Sequence, residues 1–225
     1  MANFIVSEDK GARFSIIFLA IIYLVGLVGS LSFNPDIIQL TWLNLLVSSV
    51  VLFAFHKGKN FYFWLWIAGV FQAGYVVEMF GVKTGRIFGE YIYGNNLGYK
   101  INDVPLIIGV NWLMLCYCAY HVASKLLENW KTENEKMYEY VLVAISALLM
   151  VFIDVFIEQV ASQLDFWYWK YQAPPIQNYT AWFIFSFCFV FFYQKLALPK
   201  TNPIASWLYL FQLLFFIGIN LANYF

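Results

Sequence analysis

Charged side chains are scarce in this sequence. Lys, Arg, Asp and Glu make up 12% of the 225 residues, whereas 62% are hydrophobic and 22% aromatic. Such a chain has too little polar surface to cover a water-soluble globule, so composition predicts a protein of the lipid bilayer. The formal net charge is zero, and no basic stripe is present that could follow a nucleic-acid backbone. Lipids and lipid-soluble molecules are therefore the expected partners, and nucleic acid is not.

Residues that hold metals and nucleotides are equally few. The chain has two histidines, and its three cysteines, Cys116, Cys118 and Cys188, lie inside apolar runs. The two cysteines of the C-x-C pair point to different sides of a helix, so we interpret all three as packing residues. The sequence contains no H-E-x-x-H cluster, G-x-S-x-G elbow, phosphate loop or dinucleotide fingerprint. We expect neither a metal nor a cofactor.

What the chain does have is long apolar runs. A membrane-spanning helix needs about 20 mostly apolar residues, and seven stretches qualify. They are Phe14–Phe33, Ile37–Phe55, Phe61–Phe80, Val104–Ala123, Tyr140–Ala161, Tyr179–Lys195 and Ile204–Leu221. The first is too long for a cleavable signal, so it is expected to stay. With no internal repeat or long linker, the sequence predicts an all-α polytopic transmembrane bundle, a single domain over residues 1–225, in the cell (inner) membrane.

The basic residues predict the orientation. Seven spans put the two termini on opposite sides of the membrane. With a cytoplasmic N-terminus, nine of the 13 Lys and Arg residues lie inside and four lie outside, namely Lys83, Arg86, Lys100 and Lys170. The long aromatic loops Lys83–Asp103 and Asp165–Asn178 then lie outside as well. Within the second loop we interpret Trp167, Tyr168 and Trp169 as interfacial anchors, since aromatic belts are common at membrane boundaries.

Acidic residues inside the apolar runs need another explanation. Asp154 and Glu158 are four residues apart, so both project from nearly the same side of one helix. Asp154 lies about 21 Å from the cytoplasmic end of a membrane core about 30 Å thick, and Glu78, Asn111 and Asn178 fall in the same outer half. Ionisable groups at such depth are unfavourable unless they pair or face a wet cavity, so they predict a functional site. The alternative is a structural network in which Arg86 pairs with Asp154 or Glu78.

Carboxylic acids without a metal or nucleotide can still act on a substrate dissolved in lipid. A desolvated carboxyl group tends to keep its proton near neutral pH, and a neighbouring acid strengthens that tendency. It can protonate a carbon–carbon double bond, and aromatic faces can stabilise the tertiary cation that results. Water can then add to give a tertiary alcohol, or a ring can close with loss of a proton. The sequence leaves both outcomes open.

Three blocks of residues resemble a known family. The first is E-M-F-G-V-K-T-G-R-I-F-G-E-Y-I-Y from Glu78 to Tyr93, followed by L-G-Y-K-I-N-D-V-P-L-I-I from Leu97 and the region of Trp112. The second is Asp154-x-x-x-Glu158 with the later W-x-W, and the third is P-x-Q-N-Y-x-x-W-F from Pro175 to Phe183. Together they resemble the integral-membrane carotenoid biosynthesis proteins typified by carotenoid 1,2-hydratases, which include bisanhydrobacterioruberin hydratase-like members. The chain departs from that pattern at Ile87 and Gln159, where relatives often have proline.

The resemblance implies a function and a site. It implies addition of water to the terminal 1,2 double bond of an acyclic carotenoid without a redox cofactor. A C40 substrate such as lycopene or γ-carotene is favoured over a C50 one, because the chain lacks the acidic excess of a salt-adapted protein. Other enzymes of the pathway are further candidate partners. The implied acid/base set is Glu78, Asp154 and Glu158, and the substrate-binding set is Arg86, Tyr91, Tyr93, Asp103, Asn111, Asn178 and Trp182. Two alternatives stay open, an end-group cyclase or isomerase and a non-catalytic carotenoid carrier.

Overall fold

The structure is a computed structural model that describes residues 9–32, 35–130 and 134–223. The helices among these residues are α1 (Lys10–Leu31), α2 (Pro35–Ile38), α3 (Thr41–Ala54), α4 (Phe61–Thr84), α5 (Ile107–Leu126), α6 (Glu135–Glu158), α7 (Ile176–Lys195) and α8 (Ala205–Ala222). Four short strands lie in the two long loops, namely β1 (Tyr91–Tyr93), β2 (Lys100–Ile101), β3 (Val104–Pro105) and β4 (Trp167–Trp169).

Seven helical segments in this part of the chain are long and apolar enough to cross a membrane, with Asp36–Ala54, which includes α3, forming the second. The predicted all-α polytopic bundle is therefore confirmed. Its helix ends differ from the predicted ones because polar caps decide them. Helix α1 begins at Lys10, where the Asp9 carboxylate accepts hydrogen bonds from the next turn. Helix α4 continues to Thr84 and ends at Gly85, whose φ of 63° suits glycine. Phe33, the predicted end of the first span, and Lys131, one of the residues predicted to be cytoplasmic, lie outside the described residues.

Helix α5 is the centre of the bundle. It packs against α3, α4, α6, α7 and α8, and 78% of its apolar stretch is buried, compared with at most 44% in the other spans. Neighbouring helices rather than lipid therefore cover most of its surface. Cys116 and Cys118 are fully buried on α5, as predicted for packing residues. Cys188 on α7 is exposed, so a packing role is wrong for that residue.

The two long loops meet at one end of the bundle. Strand β1 pairs with β4 in antiparallel register, with Tyr91 opposite Trp169 and Tyr93 opposite Trp167. Because side chains alternate along a strand, these four residues face the helices, while Ile92 and Tyr168 face outward. The paired strands therefore cover the helix ends from which Glu78 and Glu158 project.

Polar contacts hold the two strands of this cover together. The Asp165 carboxylate accepts from the Tyr168 hydroxyl at 2.9 Å and from the Asn95 backbone N–H at 3.0 Å. At the far end of the pair, Lys170 and Glu90 form an exposed ion pair of 2.5 Å. Strands of three residues gain little stability alone, so these links and the packing beneath them position the cover.

Candidate active site

Glu78 lies near the end of α4 and is buried beneath β1. Its Oε2 accepts hydrogen bonds from the Tyr91 hydroxyl and, at 2.8 Å, from the Tyr93 hydroxyl. Its Oε1 accepts from Trp112 Nε1 at 2.9 Å. Burial, followed by the nearby Glu78, raises the pKa of Tyr91 and of Tyr93 well above the ordinary tyrosine value. Both phenols therefore keep their protons and remain hydrogen-bond donors.

Asp154 and Glu158 project from the last turns of α6 toward the start of α7. Asn178, in the first turn of α7, bridges them, since its Nδ2 donates to Asp154 Oδ2 at 2.9 Å and to Glu158 Oε1 at 3.0 Å. Asp154 is fully buried, and its Oδ1 has no hydrogen-bond partner within the described part of the chain. One neutral amide thus connects two carboxyl groups, as the four-residue spacing suggested.

Two tryptophans of β4 complete the surroundings of Glu158. Trp167 Nε1 donates to Glu158 Oε2 at 3.0 Å, and Trp169 Nε1 donates to the same oxygen at 2.6 Å. The interpretation of Trp167 and Trp169 as interfacial anchors is therefore wrong, whereas the exposed Tyr168 between them fits it. The alternation W-x-W, matched by Y-x-Y in the other loop, was the available signal. Strand periodicity places both indoles of such a motif on one face.

A small cavity separates the carboxyl groups. Its volume is about 20 Å³, and a cavity of about 10–15 Å³ is large enough for one water molecule. Glu78 and Glu158 both line it, whereas Asp154 lies behind Glu158. Trp112 and Trp182 stack in its wall with ring centroids 4.3 Å apart. Their faces suit a developing positive charge, so the cavity combines acids, room for water and aromatic walls.

Comparison with known proteins places this arrangement in a family. The model of the family described as "Carotenoid biosynthesis protein" matches residues 41–225. The chain belongs to this family. A stretch of 114 residues is also 30% identical to bisanhydrobacterioruberin hydratase of Haloarcula japonica, covering 49% of this chain and 37% of that protein. The chain thus matches little more than a third of the length of this curated relative. No solved structure matches it.

Family membership confirms the resemblance drawn from the three blocks, and the structure brings most of the predicted residues together. The predicted residues that line the cavity all fall in the family range, and they are Glu78, Tyr91, Tyr93, Asn111, Glu158, Asn178 and Trp182. Trp112 and Phe88 line it as well but were not predicted as site residues. Both belong to the first family block, but such large apolar side chains are usual in a protein core, so their residue type alone did not mark them as site residues.

Arg86 and Asp103 do not reach this cavity. Because α4 ends at Gly85, Arg86 lies beyond the helix with an exposed side chain, and its backbone carbonyl accepts from Gln177. Asp103 is exposed in the turn between β2 and β3, at a φ of 64°. The alternative in which Arg86 neutralises a buried acid does not hold among the described residues. The three carboxyl groups are hydrogen-bonded there by neutral tyrosine, tryptophan and asparagine donors.

Proposed function

We propose that this membrane protein is a carotenoid hydratase, which adds water to the terminal 1,2 double bond of an acyclic carotenoid end. The single observation that carries the proposal is the cavity in which two buried carboxyl groups, held by neutral donors, leave room for a water molecule between aromatic walls. The family supports a role in carotenoid biosynthesis, and the name of the relative described above supports a hydration reaction. Hydration is redox-neutral, so these residues can perform it without a redox cofactor.

The proton is proposed to come from the pair formed by Glu158 and Asp154. Two buried carboxyl groups that share one hydrogen-bond donor cannot both ionise without strong repulsion, so such a pair favours retaining a proton. Glu158 lines the cavity and is the member that can reach the substrate. Asp154, behind it, acts through Asn178 by holding the pair together.

The reaction then follows from the positions of the acids. Glu158 donates a proton to C2 of the terminal double bond, which leaves a tertiary cation at C1 next to Trp112 and Trp182. Water adds to C1, and Glu78 accepts the proton that the water loses. Glu78 is assigned this role because it is the other carboxyl group that lines the cavity. Return of that proton to Glu158 restores the site, so one water is consumed for each alcohol formed.

A second function uses the same first step. In an end-group cyclase or isomerase the cation is quenched by loss of a proton rather than by water. The stacked indoles of Trp112 and Trp182 favour this alternative, since aromatic walls stabilise a cation that waits for ring closure. Access of water to the cavity decides between the two.

Expression in a lycopene-accumulating host tests the proposal. Pigments are extracted and their masses determined, with Glu158→Gln expressed to the same level as the control. Products heavier than lycopene by one or two waters, absent from the control, are the expected result. A new pigment of unchanged mass favours the cyclase or isomerase. Unaltered lycopene beside folded wild-type protein contradicts hydration of this C40 substrate and favours a carrier.

A further inference from the structure

A second, larger cavity lies beside the carboxyl groups. It has a volume of about 350 Å³ and runs between α1, α3, α5 and α8, within the range of about 300–1,000 Å³ that is common for small-molecule sites. Among the described residues, its lining contains no Asp, Glu, Lys, Arg or His, and most of it is aliphatic or aromatic. A pocket of this size without charge suits an uncharged hydrocarbon.

The two cavities share part of their walls. Ile108, Asn111 and Trp167 line both of them. Trp167 is also one of the two tryptophans that donate to Glu158. The side chain of Asn111 is half-buried at this junction and has no hydrogen-bond partner in the described part of the chain. A molecule that fills the large pocket and extends past Asn111 therefore arrives at the carboxyl groups.

We propose that this pocket binds the hydrocarbon chain of an acyclic polyene whose terminal double bond lies at the carboxyl cavity. This inference rests on the proposed function and deepens it. The small cavity, at about 20 Å³, cannot hold more than the end of such a molecule. The rest of the chain needs an apolar space continuous with it, and the large pocket extends along α1 from Phe18 to Ser30, a rise of about 18 Å at 1.5 Å per residue.

The pocket also has a side opening toward the surroundings of the bundle. Val25 on α1 and Leu43 on α3 line it and are 54% and 39% exposed. In a bilayer such a rim faces the acyl chains, so a lipid-dissolved polyene can enter sideways without crossing the headgroups. Helix α1 precedes residues 41–225, the range of the family match. One wall of the pocket is therefore outside the matched region.

Gly26 offers a way to block the pocket without disturbing the acids. It lies in α1 and lines the cavity, and a Cβ built there meets Phe215 at 3.5 Å, an ordinary van der Waals contact. The helix can therefore accept Gly26→Phe, with the ring occupying the pocket. Gly69→Phe is the matched control, because Gly69 is an exposed glycine within α4 whose Cβ meets nothing within 4 Å. Both changes replace a mid-helix glycine by the same side chain.

Lycopene binding to the purified full chain in phosphatidylcholine nanodiscs measures the effect. We expect saturable binding by the wild type and by Gly69→Phe, and an affinity at least about tenfold lower for Gly26→Phe. Equal binding by all three proteins, or no saturable binding by the wild type, overturns the inference. Equal binding would assign the pocket to lipid acyl chains. Leu43→Trp, with Leu65→Trp on the exposed face of α4 as its control, gives the same comparison if Gly26→Phe does not fold.

The same variants separate this inference from the proposed function. If the wild type and Gly26→Phe form equal amounts of hydrated product in the lycopene-accumulating host, the pocket is refuted but the hydratase is supported. If the wild type binds lycopene and Gly26→Phe does not, but the wild type forms no hydrated product, the pocket is supported and the hydratase is refuted.

Discussion

Replacing Glu158 by glutamine tests the chemistry and the hydrogen bonding of the site together. Glu158 Oε2 accepts from the indoles of Trp167 and Trp169, and Oε1 accepts from Asn178. Glutamine puts an NH₂ group where one of these oxygens was. An indole N–H can only donate, so the new NH₂ has no partner on that side. On the other side it meets the Asn178 NH₂, which can turn away only by giving up its bond to Asp154.

The size of the effect follows from this conflict. The NH₂ group loses both indole hydrogen bonds when it replaces Oε2 and one hydrogen bond when it replaces Oε1. The second orientation is therefore preferred, and the loss of one buried hydrogen bond lowers the free energy of unfolding by about 1–3 kcal/mol. At about 2–4 °C per kcal/mol, the melting temperature falls by about 2–12 °C. The amide of Glu158→Gln has no proton to give, so turnover falls by at least about 100-fold, the contribution typical of a general acid.

Glu78→Gln is the informative comparison. Its NH₂ group can lie toward Tyr91 and Tyr93, whose hydroxyl oxygens accept as well as donate, while its carbonyl oxygen still accepts from Trp112. We therefore expect a melting temperature close to that of the wild type and a similar loss of turnover. Yield, melting temperature and product from lycopene are measured for both variants in one detergent. If folded Glu158→Gln keeps a turnover near that of the wild type, Glu158 is not the proton donor. If Glu78→Gln lowers the melting temperature more than Glu158→Gln does, the hydrogen-bond argument is refuted.

Four further predictions follow from other parts of the structure. Asp154→Asn should fold normally, because its NH₂ can replace the unpartnered Oδ1 while its carbonyl oxygen still accepts from Asn178. Product analysis should nevertheless show about 100-fold lower turnover. Turnover equal to that of the wild type would rule out the carboxyl pair as the source of the proton. Burial, with a contribution from Lys59, lowers the pKa of His56 to about 4. The neutral imidazole therefore contributes to the free energy of unfolding above pH 6.5, and this contribution is lost as the pH falls toward 4. The melting temperature should therefore fall less between pH 7.5 and pH 5 for His56→Gln than for the wild type, and an equal fall in both proteins would contradict this. Asn95 is exposed in the loop Lys83–Asp103, which is predicted to lie outside the cytoplasm. A cysteine at this position should react with an impermeant thiol reagent from outside the cell, and labelling only from the cytoplasmic side would reverse the predicted orientation. Hydration should continue after dialysis against a chelator, whereas activity that returns only with a divalent ion would show that a metal is required.

Local periodicity made the helices and the acidic pair predictable. Apolar runs of membrane-spanning length identify the spans because length and composition are local properties. The spacing of Asp154 and Glu158 places them on one side of α6 for the same reason, since 3.6 residues make a turn. Helix ends were less predictable, because Asp9 and Gly85 decide them through caps rather than through hydropathy.

Contacts between distant segments were not readable in the same way. Trp112 is 34 residues from Glu78, and Asn178 is 24 residues from Asp154. The family blocks included Asn178 and the W-x-W motif but not their hydrogen bonds, and they included Arg86, which lies outside the cavity. Only the pairing of β1 with β4 directs the indoles of Trp167 and Trp169 toward Glu158.

The sequence by itself therefore determined a helical membrane protein of the carotenoid biosynthesis family with buried acids near one end of the bundle. Composition, apolar length and short motifs are sufficient for that, because each acts within a single segment. Tertiary structure alone decided that two loops join over the carboxyl groups and that α1 closes an apolar pocket beside them. These features depend on which faces of separate segments pack together, and many segments of equal hydropathy compete for that packing.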